Sequence, residues 1–314
     1  MKLIRHLPVA ERARPLAIAV GNFDGLHIGH QALIAEAVAG KPDFKPSMLC
    51  FDPLPRTFFR PEQPVPRIMK LRDKCRFAER FGIELLVQLR FDREFSRLSP
   101  EQFARDVLVR DLNAGLVIVG RNFRFGHRAA GDIDDLARFG RRFGFDTRIV
   151  DLVSRPDAGE VADDSRISSS GLRRALERGD LKTAERLLGR PYSISGRVIR
   201  GNRLGRELGF ATANLRVAEP PALTGITAVR VGGDGLERHP GVASLGRRPT
   251  VAGRDWLLEV HLLDFDGDLY GRHIDVEFVE FIRHEEHFDS LESMTRRMHV
   301  DLALARRHLQ PPPC

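Results

Sequence analysis

Lysine is scarce in this chain of 314 residues. Only six of its 50 basic side chains are lysine, none follows Lys182, and the other 44 are arginine spread among acidic neighbours. So skewed and dispersed a set reads as codon bias rather than a nucleic-acid surface, so the net charge of +7 marks a basic enzyme that attracts anions. Cysteine is scarcer still. Cys50, Cys75 and Cys314 are scattered, which excludes a metal-ligand spacing and a disulfide framework. No run approaches the roughly 18 apolar residues of a membrane helix. The opening MKLIRHLPVAERARP has no continuous apolar segment of signal-peptide length. A cytoplasmic protein with no membrane and no nucleic-acid partner is expected. Weak self-association is left open.

What is present is an ordinary globular mixture, 42% hydrophobic and 30% charged, long enough for two domains. Apolar runs alternate with helical periodicity for about 150 residues. The runs LAIAV (16–20), KPSMLCFD, IELLVQLRF, GLVIVG and FDTRIVDLV read as strands. QALIAEAVAG and RIMKLRDKCRFAERFG read as helices closed by glycine. SPEQFARDVLVRDL carries Ser99, Pro100 and Gln102 in the order of a capping box. The expectation is a doubly wound α/β domain with a parallel sheet. ISSSGLRRALERGDLKTAERLLGRP then gives two helical segments. Beyond it, short alternating runs separated by Gly, Pro and Asp predict a small β-barrel. DSLESMTRRMHVDLALARRHL closes the chain as an amphipathic helix, with Met294, Met298, Leu302 and Leu304 expected toward the core. Domains of 1–186 and 187–314 follow.

GNFDGLHIGH, residues 21–30, stands where a buried strand becomes a helix. Histidines three apart share a helix face, and a helix N-terminus attracts anions. Gly21, Gly25 and Gly29 let backbone approach a ligand. Imidazole donors there gain strength as charge builds on a transferring phosphoryl group. Spacing and helix-end physics support nucleotide handling. A zinc site is disfavoured, because no third ligand is nearby in sequence.

The decapeptide resembles the HxGH motif of the nucleotidyltransferase superfamily. In its longer form it resembles the adenylyltransferase module of bacterial bifunctional riboflavin kinase/FAD synthetases. FDPLPRTFF (51–59), VIVGRNFRFGHRAAGD (117–132) and RISSSGLRRAL (166–176) agree with that module in order and spacing. The resemblance implies that FMN attacks the α-phosphate of ATP and that pyrophosphate leaves. It places His27 and His30 on the ATP phosphates. Gly21, Asn22, Phe23, Asp24 and Gly29 would form the nucleotide pocket. Asp52 and Asn122 would lie on the flavin side. Arg166, Ser169, Ser170 and Arg173 would reach the phosphates from the opposite wall. Ser170 stands where threonine is usual and keeps the hydroxyl.

GRPYSISGRVIRGNRLGRELGFATANL, 189–215, fits neither a Walker A loop nor a Rossmann fingerprint. It resembles the riboflavin kinase module of the same family, as does 258–292. That resemblance implies a six-stranded barrel. Gly196, Gly201, Arg206 and Gly209 would border ATP, and Thr212 and Asn214 would hold phosphates and Mg²⁺. Glu259 would take the proton from the ribityl hydroxyl of riboflavin, and Phe288 would hold the flavin ring. Three residues depart from the family pattern: Ala211 for Pro, Thr227 for Tyr and Ser244 for Asn. The expected protein uses riboflavin, FMN and ATP and makes both FMN and FAD. Two rivals are a chain with one working activity and a flavin-binding protein without turnover.

Overall fold

The structure is a computed structural model. It describes all residues except 9–13, 152–166, 201–211, 218, 251–252 and 311–314. The chain divides into two compact units, one of residues 1–65 and 71–169, the other of 66–70 and 170–314.

The first unit is built on a six-stranded sheet. Its strands are β1 (Lys2–Ile4), β2 (Leu16–Val20), β3 (Lys45–Asp52), β4 (Leu85–Arg90), β5 (Ala114–Gly120) and β6 (Asp146–Val150). Their order is β1-β4-β3-β2-β5-β6, and every pairing is parallel. All five residues of β2 are buried, as a central parallel strand covered on both faces requires. The helices are α1 (Ile28–Ala39), α2 (Pro55–Phe59), α3 (Leu71–Arg80), α4 (Pro100–Gln102) and α5 (Ile133–Phe143). The expected capping box is formed. Ser99 Oγ accepts from Gln102 N at 3.1 Å, and Ser99 N donates to Gln102 Oε1 at 2.8 Å. Beyond this turn the chain runs on as π-helix over Phe103–Asp111.

Three local expectations change. The edge strand β1 was absent from the sequence reading, because a three-residue KLI run carries no period. FDPLPRTFF, in which the sequence marked no helix, contains the short helix α2 with Pro55 at its start. RIMKLRDKCRFAERFG is helical only from Leu71. Its first residues belong to the second unit, where Arg67 N donates to Pro220 O (2.8 Å) and Ala222 N to Arg67 O (3.0 Å).

Helix α6 (Ser169–Glu177) starts on the last residue of the first unit; in the second unit its remainder and α7 (Leu181–Leu188) precede six strands. These are β7 (Ser193–Arg197), β8 (Thr212–Val217), β9 (Gly225–Gly233), β10 (Leu236–Thr250), β11 (Gly253–Leu262) and β12 (His273–Arg283). The order is β7-β12-β9-β10-β11-β8, with every pairing antiparallel. A bridge from Ile199 to Asn214 brings the two edge strands together and nearly closes the barrel. Gly179, at φ +72°, packs under Phe281 of β12; a Cβ there would lie 2.3 Å from the ring. Helix α8 (Leu291–Leu309) follows the barrel. Its fully buried residues are Asp301, Ala305 and Leu309, whereas Met294, Met298, Leu302 and Leu304 are half-buried. Met294 and Met298 share the face of the buried residues at three- and four-residue spacing, and Leu302 packs against the core beside Ala305 and Leu309. The unexpected member of that face is Asp301, which turns inward to Arg283.

Candidate active sites

In the parallel sheet, connections run from β2 through β3 to β4 on one side and resume with β5 on the other side of β2. Ligands of open α/β sheets bind outside the carboxyl ends of the strands at such a reversal. The loop after β2 is Gly21–His27, and the loop after β5 begins Arg121–Asn122. Asp52 ends β3 on the same edge and is half-buried; Asn122 is exposed.

His27 is the N-cap of α1. Its Nδ1 accepts from the backbone N–H of His30 at 3.2 Å. An Nδ1 used as an acceptor carries no proton, so in the neutral ring Nε2 is the donor. The His27 and His30 rings stack with centroids 3.6 Å apart and 15° between planes, and Phe23 lies against His30 at 5.0 Å. A Cβ at Gly29 would lie 3.2 Å from Nδ1 of His27, tighter than the ring accepts without moving. Glycine in HxGH therefore lets the first histidine fold back over its own helix.

The loop holds unusual backbone. Phe23 (φ 50°) and Leu26 (φ 48°) are left-handed without being glycine, and both side chains are fully buried. Such conformations cost energy and persist where surroundings over-determine them. Ser169 Oγ donates to Asp24 O at 3.1 Å, tying the start of α6 to this loop. Lys74 Nζ, on α3, donates to Asn22 O at 3.1 Å. Lys74 is 2% exposed. Neither the lysine nor its role was legible in sequence, since nothing local marks a lysine in an amphipathic helix as buried. The neighbouring Cys75 thiol is pushed up by burial and by Cys50, against the pull of Lys74, which leaves it a poor nucleophile. Past β3, Phe51, Phe58, Phe59, Phe91 and Phe95 form a chain of ring contacts at 5.2–6.0 Å, with Phe59 62% exposed. Ser170 stands second in α6, and Arg173 Nε donates to Pro66 O at 2.8 Å. Arg166 lies outside the described residues.

In the barrel, register assembles the second group. Asn214 of β8 pairs with Glu259 of β11, and Glu259 pairs with Ser244 of β10. Directly opposed residues project to one face, so the three form a row across three strands. Thr212 stands two residues before Asn214 on that face. Asn214 is 4% exposed; its Nδ2 donates to Thr212 O at 3.4 Å, and its buried Oδ1 accepts no hydrogen bond from the described residues. A buried acceptor left without a donor suits a cation. Ser244, a departure from the family pattern, is thus the cross-strand neighbour of Glu259. Thr227, another, is 1% exposed and pairs with Ala243 on the core side. Gly196 on β7 faces Leu215, where a Cβ would meet Cδ2 at 3.0 Å. Gly201, Arg206, Gly209 and Ala211 lie outside the described residues.

Phe288 is half-buried and lies under the Arg283 guanidinium, 5.6 Å from its carbon to the ring centroid. Arg283 grips Asp301 of α8 through Nε (3.0 and 3.1 Å) and Nη2 (2.7 Å). Side-chain exposures of 10% and 4% make this a buried ion pair, and removing one partner of such a pair costs about 3–5 kcal/mol. Sequence reasoning missed it, because its partners are 18 residues apart on different elements.

A nucleotide-binding α/β unit followed by a small antiparallel barrel is the class that these folds and sites define. The comparisons with known proteins agree. A family model described as FAD synthetase matches residues 9–170, and one described as riboflavin kinase matches 188–309. A bifunctional riboflavin kinase/FMN adenylyltransferase of Haemophilus influenzae is 37% identical over 98% of each chain. The Escherichia coli K12 protein of that description is 39% identical over 98% of this chain and 97% of its own. A solved structure described as a macrolide-efflux protein from Streptococcus pneumoniae superposes with a TM-score of 0.74 at 27% identity, covering 93% of this chain and 94% of its own. The chain belongs to the bifunctional riboflavin kinase/FMN adenylyltransferase family. Among the described residues, no helix is long and apolar enough to cross a membrane.

Proposed function

We infer that the chain makes FMN from riboflavin and FAD from FMN, spending one ATP on each step. The carrying observation is that one chain is similar along nearly its whole length to enzymes described as having both activities. We assign adenylyl transfer to residues 1–186 and phosphorylation to 187–314.

In adenylyl transfer, a phosphate oxygen of FMN bonds to the α-phosphorus of ATP. The bond to the bridging oxygen breaks, and pyrophosphate leaves. The Nε2–H of His27 and the imidazole of His30 donate to the phosphates as charge shifts toward the leaving group. Family resemblance assigns Gly21, Asn22, Phe23, Asp24 and Gly29 to the nucleotide pocket and Arg166, Ser169, Ser170 and Arg173 to the phosphates. The hydroxyl proton of Ser169, directed at Asp24 O, favours a loop-holding part for that residue. Asp52, Asn122 and the phenylalanine group beyond β3 take the flavin.

In phosphorylation, Glu259 removes the proton from the ribityl hydroxyl, whose oxygen bonds to the γ-phosphorus while ADP leaves. Gly196, Gly201, Arg206 and Gly209 border the ATP, and Phe288 backs the isoalloxazine ring. The Asn214 Oδ1, which accepts nothing from the described residues, fits Mg²⁺ together with the Thr212 hydroxyl; when bound, the ion would neutralise phosphate charge. The protein acts in the cytoplasm on small molecules, without nucleic acid.

The purified chain incubated with riboflavin, ATP and Mg²⁺ should accumulate FMN and then FAD. FAD formed from added FMN, with no FMN formed from riboflavin, would overturn the two-activity reading.

A further inference from the structure

Lys74 has no part in the reactions derived above, yet it is one of only six lysines and is almost wholly buried. A buried ammonium is unfavourable unless a partner compensates it. Here the acceptor is the carbonyl of Asn22, at 3.1 Å, in the loop that ends at His27. That loop passes through left-handed backbone at Phe23, Gly25 and Leu26 before reaching the histidine cap. Buried Phe23 and Leu26 anchor its middle, and Ser169 holds the carbonyl of Asp24. The carbonyl at the loop's entry is held by Lys74. The adjacent carboxylate of Asp73, also buried, faces Arg76 at 3.3 Å.

We propose that Lys74 is a positioning residue for adenylyl transfer: its ammonium fixes the Asn22 carbonyl, sets the turn that aims His27 and His30, and places a positive charge behind the phosphate loop. This rests on the reading of residues 21–30 as the ATP site of that reaction. A loop loosened at its entry lets both imidazoles drift, and a displacement of about 1 Å can cost on the order of a hundredfold in rate. A positive charge sunk behind the loop also attracts ATP from a place where salt screens little.

The test uses the full chain as wild type, Lys74→Met, Lys74→Gln, Lys74→Arg and His27→Ala. Each is assayed for FAD formation across ATP and FMN concentrations, for riboflavin phosphorylation, and for its thermal midpoint. Lys74→Met should lower kcat/KM for ATP in FAD formation by about tenfold to a hundredfold. It should leave the KM for FMN and riboflavin phosphorylation within about twofold, a difference near the noise of such comparisons. Lys74→Arg, which keeps donor and charge, should recover more than Lys74→Gln, which keeps only a donor. FAD formation near wild type in Lys74→Met, with His27→Ala defective, overturns the proposal. FAD formation near wild type in His27→Ala as well overturns the site reading itself. Should Lys74→Met melt early or lose both activities, Lys74→Gln decides by the same criteria. Equal loss of both activities in Lys74→Gln would make the lysine merely structural and overturn the proposal.

Discussion

The two sites are assembled in opposite ways. In the α/β unit, one decapeptide following the buried strand β2 supplies a left-handed loop, an N-cap and two stacked imidazoles. In the barrel, Asn214, Ser244 and Glu259 come from three strands and meet only through register. A local site tolerates change elsewhere but little within its few residues. A cross-strand site depends on pairings that no single segment encodes, since a one-residue slip turns every side chain to the other face. Three of the four departures from the family pattern, Ala211, Thr227 and Ser244, fall in the barrel module and one, Ser170, in the adenylyltransferase module, while GNFDGLHIGH stays intact.

The contrast can be broken most forcefully at its two centres. His27→Ala with His30→Ala should lower FAD formation by at least a hundredfold to a thousandfold, the usual loss of a transition-state donor, while riboflavin phosphorylation continues. Product analysis by chromatography checks both in one reaction. Glu259→Gln should do the reverse, lowering phosphorylation by about a hundredfold or more with FAD formation from supplied FMN unchanged. Loss of both activities in either variant would mean that the sites are not separable. A smaller effect tests the local site's tightness. Gly29→Ala should reduce FAD formation by about tenfold through displacement of the His27 ring, without lowering phosphorylation. Ser244→Asn probes the row beside Glu259 and should change phosphorylation kcat by about twofold to tenfold, the scale of one hydrogen bond.

The smallest effect concerns pH. The Asp132 carboxylate caps α5, and the backbone N–H groups of Asp135 and Asp134, with Arg124, hold it below the usual range. A lowered folded value stabilises above the unfolded value and ceases to do so as pH falls through the folded one. The thermal midpoint of Asp132→Ala should therefore fall short of wild type at neutral pH. The gap should close in acid, below about pH 4, where the unfolded carboxyl also takes its proton.

Much of this was legible beforehand. Burial made LAIAV readable as a strand, and the capping box at Ser99 formed as its residues predicted, since both depend on neighbours a few positions away. The histidine pair followed from helix geometry. The charged member of the buried face of α8 was not legible, because Asp301 turns inward only to meet Arg283 from another element. Nor was the attachment of residues 66–70 to the second unit, where backbone pairs with Pro220 and Ala222.

The sequence by itself determined the two kinds of fold, the strand-to-helix decapeptide with its histidine pair and, through family resemblance, the pair of reactions. Periodicity, turn chemistry and contiguous motifs are local, and they survive in a linear string. Only the three-dimensional structure decided which nitrogen of His27 is taken up by the helix cap and why residue 29 is glycine. It also set Asn214 and Ser244 on either side of Glu259 and buried Lys74 beneath Asn22. The last two are contacts between groups whose partners are chosen by packing and register, and a carbonyl 52 positions away leaves no mark on the sequence around a lysine.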